Sequence, residues 1–280
     1  VGNEPPYTPE IVLYEEDETK ETNVMTPQIE YALRIITGDE NGYKDIASIT
    51  VYIYHSTIGE EPAPGKDDPK VQATYKWTRG EGWSLVGPSG STWGIDLKES
   101  RGPVNPKENT AEWWLHFIPG KVAHVAPPGS WYIKVVVEDG AGAAASDKRG
   151  GFEMTWYGEV EVSDSSFDFG EVKLGAKDVP ILFPKGCIKI VVISNGDYRI
   201  QAKTDKIWKC EGGEAVVDTK DEEPESGEIA LENCGKDDEK AASLVTDSYT
   251  DVADLEKLSG PTVEDGVTVS YTHLTLPTTE

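Results

Sequence analysis

Cysteine, methionine and histidine are scarce in this chain of 280 residues, at three, two and four. The cysteines, Cys187, Cys210 and Cys234, all fall in the C-terminal half. An odd count defines no disulfide framework; one bridge and one free thiol, in any pairing, fit an oxidising compartment. No C-x-x-C spacing and no nearby histidine supports a zinc site. Positive charge is short as well: 26 Lys and Arg stand against 51 Asp and Glu, a formal charge of −25. A phosphate backbone needs Lys and Arg facing it, so nucleic acid is excluded as a partner and anionic lipid is disfavoured. No apolar run approaches the roughly 20 residues that a membrane-spanning helix requires. The chain opens at Val1 without an initiator methionine or signal peptide, as a mature product or a fragment does.

Catalytic signatures are missing too. There is no G-x-S-x-G, no H-E-x-x-H and no glycine-rich loop set between a strand and a helix. His55, His116 and His124 come with no nucleophile motif and read as ordinary surface histidines. Carboxylates are so plentiful that no pair stands out for glycoside hydrolysis. The chain is read as non-enzymatic.

What the sequence does have is alternation. Ile29, Tyr31, Leu33 and Ile35 alternate with polar neighbours, as do Ile49, Val51 and Ile53. Ala73, Tyr75 and Trp77, then Trp113, Leu115 and Phe117, then Trp131, Ile133, Val135 and Val137 keep the same period of two. Phe152, Met154, Trp156, Val160 and Val162 extend it to residue 162. Period two is the mark of strands with one buried face. The turns between them are legible: Gly38 to Gly42 joins two strands through Asn41-Gly42, and prolines punctuate the stretch from Glu60 to Pro69. Residues 139–151, rich in Gly and Ala, are expected to be a flexible loop. Ser163 to Ser166 is small and polar, a domain boundary, after which strand-like patterns restart at Phe167, Phe169, Val172 and Leu174. Ile188, Ile190 and Val192 lead through Asn195-Gly196-Asp197 into Tyr198 and Ile200, which reads as a hairpin. The expected fold is all-β: two tandem Ig-like or fibronectin-like antiparallel β-sandwiches, the second truncated at its C-terminus. The boundaries are an extension at 1–7, a sandwich at 8–163, an incomplete sandwich at 164–267 and a tail at 268–280.

Two stretches carry a family resemblance. Thr26-Pro-Gln-Ile-Glu-Tyr-Ala-Leu-Arg-Ile with Lys44-Asp-Ile-Ala-Ser-Ile resembles the opening of Ig-like domains in archaeal secreted surface proteins, and Trp113 to Ala123 and Trp131-Tyr-Ile-Lys-Val fit the same domain. Phe167-Asp-Phe-Gly-Glu-Val-Lys-Leu-Gly175 with Ser194-Asn-Gly-Asp is similar to a β-sandwich repeat that often follows it. The resemblance implies an extracellular or cell-surface protein whose sandwiches act as spacers, lattice units or adhesive modules. Against a surface lattice, the chain has no Asn-x-Ser/Thr glycosylation site.

Val269-Ser-Tyr-Thr-His-Leu-Thr-Leu-Pro-Thr278 looks like the translation of a transposase-type sequencing adapter, implying a metagenomic fragment whose true C-terminus is missing. His273 then carries no functional weight, and these residues are expected to pack poorly.

Two groups of residues are candidate binding sites. Asp39, Asn41 and Asp45 offer hard oxygens around a glycine-bearing turn, the donor type calcium takes, with a plain solvated turn as the alternative. Seven of the eight tryptophans precede residue 157. Because Trp113 and Trp114 are adjacent in a strand, they point to opposite faces. Trp114, with Trp83 and Trp93 in a glycine-rich region, is a candidate for stacking on a sugar or a partner protein, against a role in the core. The acidic stretches Glu15–Glu18 and Asp221–Glu223 read as solvated loops. No cofactor is expected beyond calcium. The functional expectation is a structural or adhesive module of a larger surface protein, contacting other envelope or filament proteins and itself through sheet edges. The alternatives are a carbohydrate-binding module that takes polysaccharide and an accessory domain of a secreted hydrolase.

Overall fold

Alternation in sequence becomes alternation in burial. In the computed structural model, which describes residues 2–164, 170–171, 188–203, 207–209, 216–218, 229–233, 243–245, 248–251 and 257–275, the chain is all-β, with 310 turns at Tyr43–Asp45 and Ser56–Ile58. Two compact units divide it: Val1–Gly158 with Ser194–Gly196 and Pro261–Glu264, and the remainder.

The first unit holds strands β1 (Glu10–Glu15), β2 (Val24–Met25), β3 (Tyr31–Gly38), β4 (Ile46–His55), β5 (Gln72–Thr78), β6 (Gly82–Gly87), β7 (Gly94–Ile95), β8 (Arg101–Val104), β9 (Thr110–Ile118), β10 (Ala126–Asp139) and β11 (Ala144–Met154). One sheet runs β1-β3-β9-β7, with β8 also on β9; the other runs β2-β11-β10-β4-β5-β6. The ladders are antiparallel except β2, which lies parallel to β11. Register explains why these strands cohere. Val51 faces Val135 on one side and Tyr75 on the other, and Ile53 faces Ile133 and Ala73. Each cross-strand row is therefore apolar on one face. Leu33, Ile35, Trp113, Leu115 and Phe117 from the opposite sheet join these residues in one buried core. Rings tie the layers together: Trp77 meets Trp113 edge-on at 5.5 Å, and Tyr75 lies 6.0 Å from Phe117. Fully burying one such side chain stabilises by about 1.5–3 kcal/mol.

Several expectations change here. β3 and β4 belong to different sheets, so Gly38 to Asp45 is a crossing between layers rather than a hairpin turn. Residues 144–151 are strand, paired to β10 from Val137↔Ala145 to Ile133↔Arg149. Their small and polar residues hid this, because only one end of the strand reaches the core. Beyond Met154 the ladder stops, and Trp156, Val160 and Val162 are exposed instead of buried. Ile29 precedes β3 and is likewise exposed.

Residues 194–196 are part of the first unit, and the hairpin expected around them does not form. Asn195 is fully buried: its Nδ2 donates to Ala123 O and Thr155 O at 2.9 and 2.8 Å, and its Oδ1 accepts Tyr157 N–H at 2.8 Å. Thr262 N–H donates to Ser194 O, and Ser194 N–H donates to Thr262 Oγ1.

The second unit contains, apart from the end residues Gly158 and Ser194, β12 (Gly158–Val162) and β13 (Ile188–Ser194), and the whole of β14 (Gln201–Ala202), β15 (Ile207–Lys209), β16 (Val216–Asp218), β17 (Ile229–Asn233), β18 (Ser243–Val245), β19 (Thr250–Asp251) and β20 (Val267–Thr275). Its main sheet runs β12-β13-β20-β17-β18, beside the two-stranded ladders β14-β19 and β15-β16. Where poor packing was expected, the backbone of 267–275 forms a paired strand. β20 is a central strand, with Ile190 opposite Val269 on one side and Leu231 opposite Leu274 on the other. The patterns at Phe167–Leu174, the acidic stretch Asp221–Glu223 and the three cysteines lie outside the described residues.

Candidate functional site

β3 ends at Gly38, where a Cβ would lie 1.8 Å from Asn109 O. The missing side chain lets that strand of backbone close in, and Asp39 N–H donates to the same carbonyl at 2.9 Å. Asp39 is thereby drawn beneath the crossing loop, at 0% exposure. Its Oδ1 accepts Asn41 N–H at 2.7 Å and its carbonyl accepts Gly42 N–H at 2.9 Å, an Asx-type turn. Gly42, with φ of 100°, occupies the left-handed region that favours glycine and feeds the turn carrying Asp45.

Asp139 ends β10, 2% exposed. Its Oδ1 accepts the N–H groups of Ala141 and Ala143 at 2.8 and 2.9 Å, and its Oδ2 accepts from Asn3 Nδ2 at 2.8 Å. Burial pushes its pKa up, but the donors from Asn3, Ala143, Ala141 and Gly142 together outweigh that and hold the carboxyl below its ordinary value. Gly140 N–H donates to Asp45 O at 3.0 Å and fastens the two loops. Carboxylate oxygens of Asp39, Asp45 and Asp139 consequently all lie within 4.8 Å of one another. Two like charges at about 4 Å repel by about 4 kcal/mol at an effective dielectric of about 20. Asp39 Oδ2 is also buried with no hydrogen-bond partner, although buried polar atoms are rarely left so.

Asn41 does not join Asp39 and Asp45; it is exposed, and its Oδ1 accepts Glu4 N–H at 3.3 Å. Asp139 takes its place. Reading along the chain misses Asp139 because pairing of β10 with β4, which sets Asp139 against Ile46, brings it there.

A second polar cluster covers the outer face of β9. Arg101 Nη1 and Nη2 donate to the two carboxylate oxygens of Glu18, at 2.6 Å each. His116, 2% exposed, sets Nε2 2.9 Å from Glu18 Oε1 and Nδ1 2.8 Å from Glu30 Oε1. The Arg101 hydrogen bonds, against opposing burial, hold Glu18 below the usual carboxylate range. Glu18 is thus bound into the sheet rather than part of a solvated loop. His55 and His116 are buried, and the reading of both as surface histidines is corrected.

The same cluster roofs Trp114, whose ring has the Arg101 guanidinium at 5.3 Å, that of Arg34 at 5.9 Å and Tyr14 at 5.6 Å. Trp113 and Trp114 do point to opposite faces, but both are covered. Trp83 donates its indole N–H to Arg101 O at 3.3 Å, and Trp93 donates to Pro69 O at 2.8 Å. All three candidate stacking residues are buried. Trp83 and Trp93 hold backbone through their indole N–H groups, and Trp114 lies under the two guanidinium groups.

No family model and no curated protein matches the chain. Among solved structures it is similar to the crystal structure of BcpA, the major pilin subunit of Bacillus cereus, at 13% identity and a TM-score of 0.25, over 75% of this chain and 63% of that one. The chain thus spans less than two thirds of the pilin chain's length.

Proposed function

We propose that the protein is a non-enzymatic structural or adhesive module of an extracellular or cell-envelope protein, a spacer that associates with neighbouring envelope or filament proteins through its sheet edges. The observation that carries this reading is the continuous core of the first unit, where Trp77, Trp83, Trp93, Trp113 and Trp131 are all used to join two sheets. The polar clusters point the same way: Glu18, Arg101 and His116 hold one another, and Asp139 and Asn195 hold backbone. Burial of Trp83, Trp93 and Trp114 counts against the polysaccharide-binding alternative.

The edge suited to association is β12, which ends its sheet in the described strand order and exposes Val160 and Val162 on either side of Glu161. A strand at the end of a sheet can template another strand. A net charge of −25 opposes contact between copies at low salt. Sedimentation velocity over a concentration series should show association that rises with salt and that Val160→Lys removes at unchanged melting temperature. A chain that stays monomeric at low and high salt, or turns over substrates in a hydrolase panel, overturns the reading.

A further inference from the structure

The geometry points to a calcium site where the β3–β4 crossing meets the β10–β11 turn, held by Asp39, Asp45 and Asp139. Oxygens bound to one calcium at about 2.3–2.6 Å lie at most about 5 Å from each other. The three carboxylates meet that limit, with oxygens within 4.8 Å.

A second observation is independent of that clustering. Asp39 is fully buried, its Oδ1 is committed to Asn41 N–H, and its Oδ2 has no partner. A buried carboxyl oxygen left without a partner, on a residue clustered with two further carboxylates, has a physical rationale when a cation sits among them. Among the described residues no lysine or arginine forms an ion pair with any of the three. The Arg79 guanidinium donates to the carbonyls of Asp45 and Ile46.

The donor set selects the ion. Carboxylates with no imidazole or thiolate suit a hard cation, not zinc. Magnesium needs near-octahedral geometry at about 2.0–2.1 Å and keeps most of its water, whereas calcium accepts irregular sets of six to eight oxygens. Backbone carbonyls and water complete the shell. A Kd of about 0.1–1 mM, usual for extracellular modules, is expected. The bound ion fastens the crossing between the two sheets to the hairpin of the longer one, so calcium tightens one end of the sandwich. This goes beyond the module role proposed above and stands or falls separately.

The test uses the full chain stripped of metal with chelator, titrated with calcium chloride. Melting temperature should rise by roughly 5 °C near saturation, and terbium should give luminescence sensitised by Tyr43, which lies in the same turn as Asp45. Magnesium at equal concentration controls for screening of the acidic surface and should give a smaller shift. Asp39→Asn should lose the calcium response while melting no lower than the wild type without metal, because it removes repulsion. Asp45→Asn, at a less buried position, repeats the test if that variant does not fold, and Asn41→Ala should respond as the wild type does. Equal shifts with magnesium and calcium, no terbium signal, or a full calcium response in Asp39→Asn and Asp45→Asn would each overturn the site.

Discussion

The imidazole of His55 lies face to face with that of His124, ring centroids 4.9 Å apart and planes 12° from parallel. Trp131 meets His55 edge-on at 5.4 Å, and Thr57 N–H donates to its Nδ1 at 3.2 Å. Burial, with a smaller push from His124, lowers the His55 pKa from 6.5 to about 4.

Stability should therefore fall in mild acid. The folded chain keeps His55 neutral down to pH about 4, whereas an unfolded histidine takes up a proton near 6.5. Its contribution is whole above the unfolded pKa and is lost as pH falls toward the folded one. Thermal melts across that window should decline, and His55→Phe should flatten the decline. A wild-type melting temperature constant between those pH values contradicts the assignment.

Glu18 works in the opposite pH direction from a group with a raised pKa. Its carboxyl is held low by Arg101 and His116, so its contribution is present above the ordinary Glu pKa and is lost as pH drops through the lower folded value. Glu18→Gln should cost about 1–2 kcal/mol in urea denaturation at neutral pH. That cost should shrink in acid, where the wild type loses the same interaction.

Two buried tryptophans should respond unequally to the same change. Trp131 Nε1 donates to His124 O at 2.9 Å, whereas Trp113 Nε1 has no partner. Trp131→Phe discards a hydrogen bond and orphans a carbonyl; Trp113→Phe removes a donor that was already unsatisfied. Chemical denaturation should show Trp131→Phe the more damaging by about 1 kcal/mol. Equal losses would mean that the Trp113 indole finds a partner in solution.

Gly38→Ala should be severe. The new methyl would meet backbone, Asn109 O, at 1.8 Å, which neither a rotamer change nor a small side-chain shift relieves. A loss of about 3 kcal/mol is expected, along with displacement of Asp39. An alanine variant with wild-type melting behaviour would show that the strand end relaxes freely.

The strands at 31–38, 46–55, 72–78, 110–118 and 126–139 were legible because each packs one face, and one-sided packing writes itself as period two. β1 was not singled out, since Glu10–Glu15 offers only a short run between acidic residues. β11 was hidden because most of its residues face solvent. At the candidate site, Asp39 and Asp45 were visible as neighbours along the chain. Asp139 was not, because strand register across a sheet cannot be counted off in sequence. The burial of Trp114 escaped for a related reason: its cover comes from Arg34 and Arg101 on other strands, and charged residues are not ordinarily expected to roof an aromatic ring.

Asn195 has a consequence for how the protein is made. A ribosome delivers the eleven strands of the first unit well before Ser194–Gly196 and Pro261–Glu264, which complete that unit. Until then the carbonyls of Ala123 and Thr155 lack the amide N–H donor they accept from, and Tyr157 N–H lacks its acceptor. The nascent sandwich keeps a polar gap until the polypeptide returns to fill it.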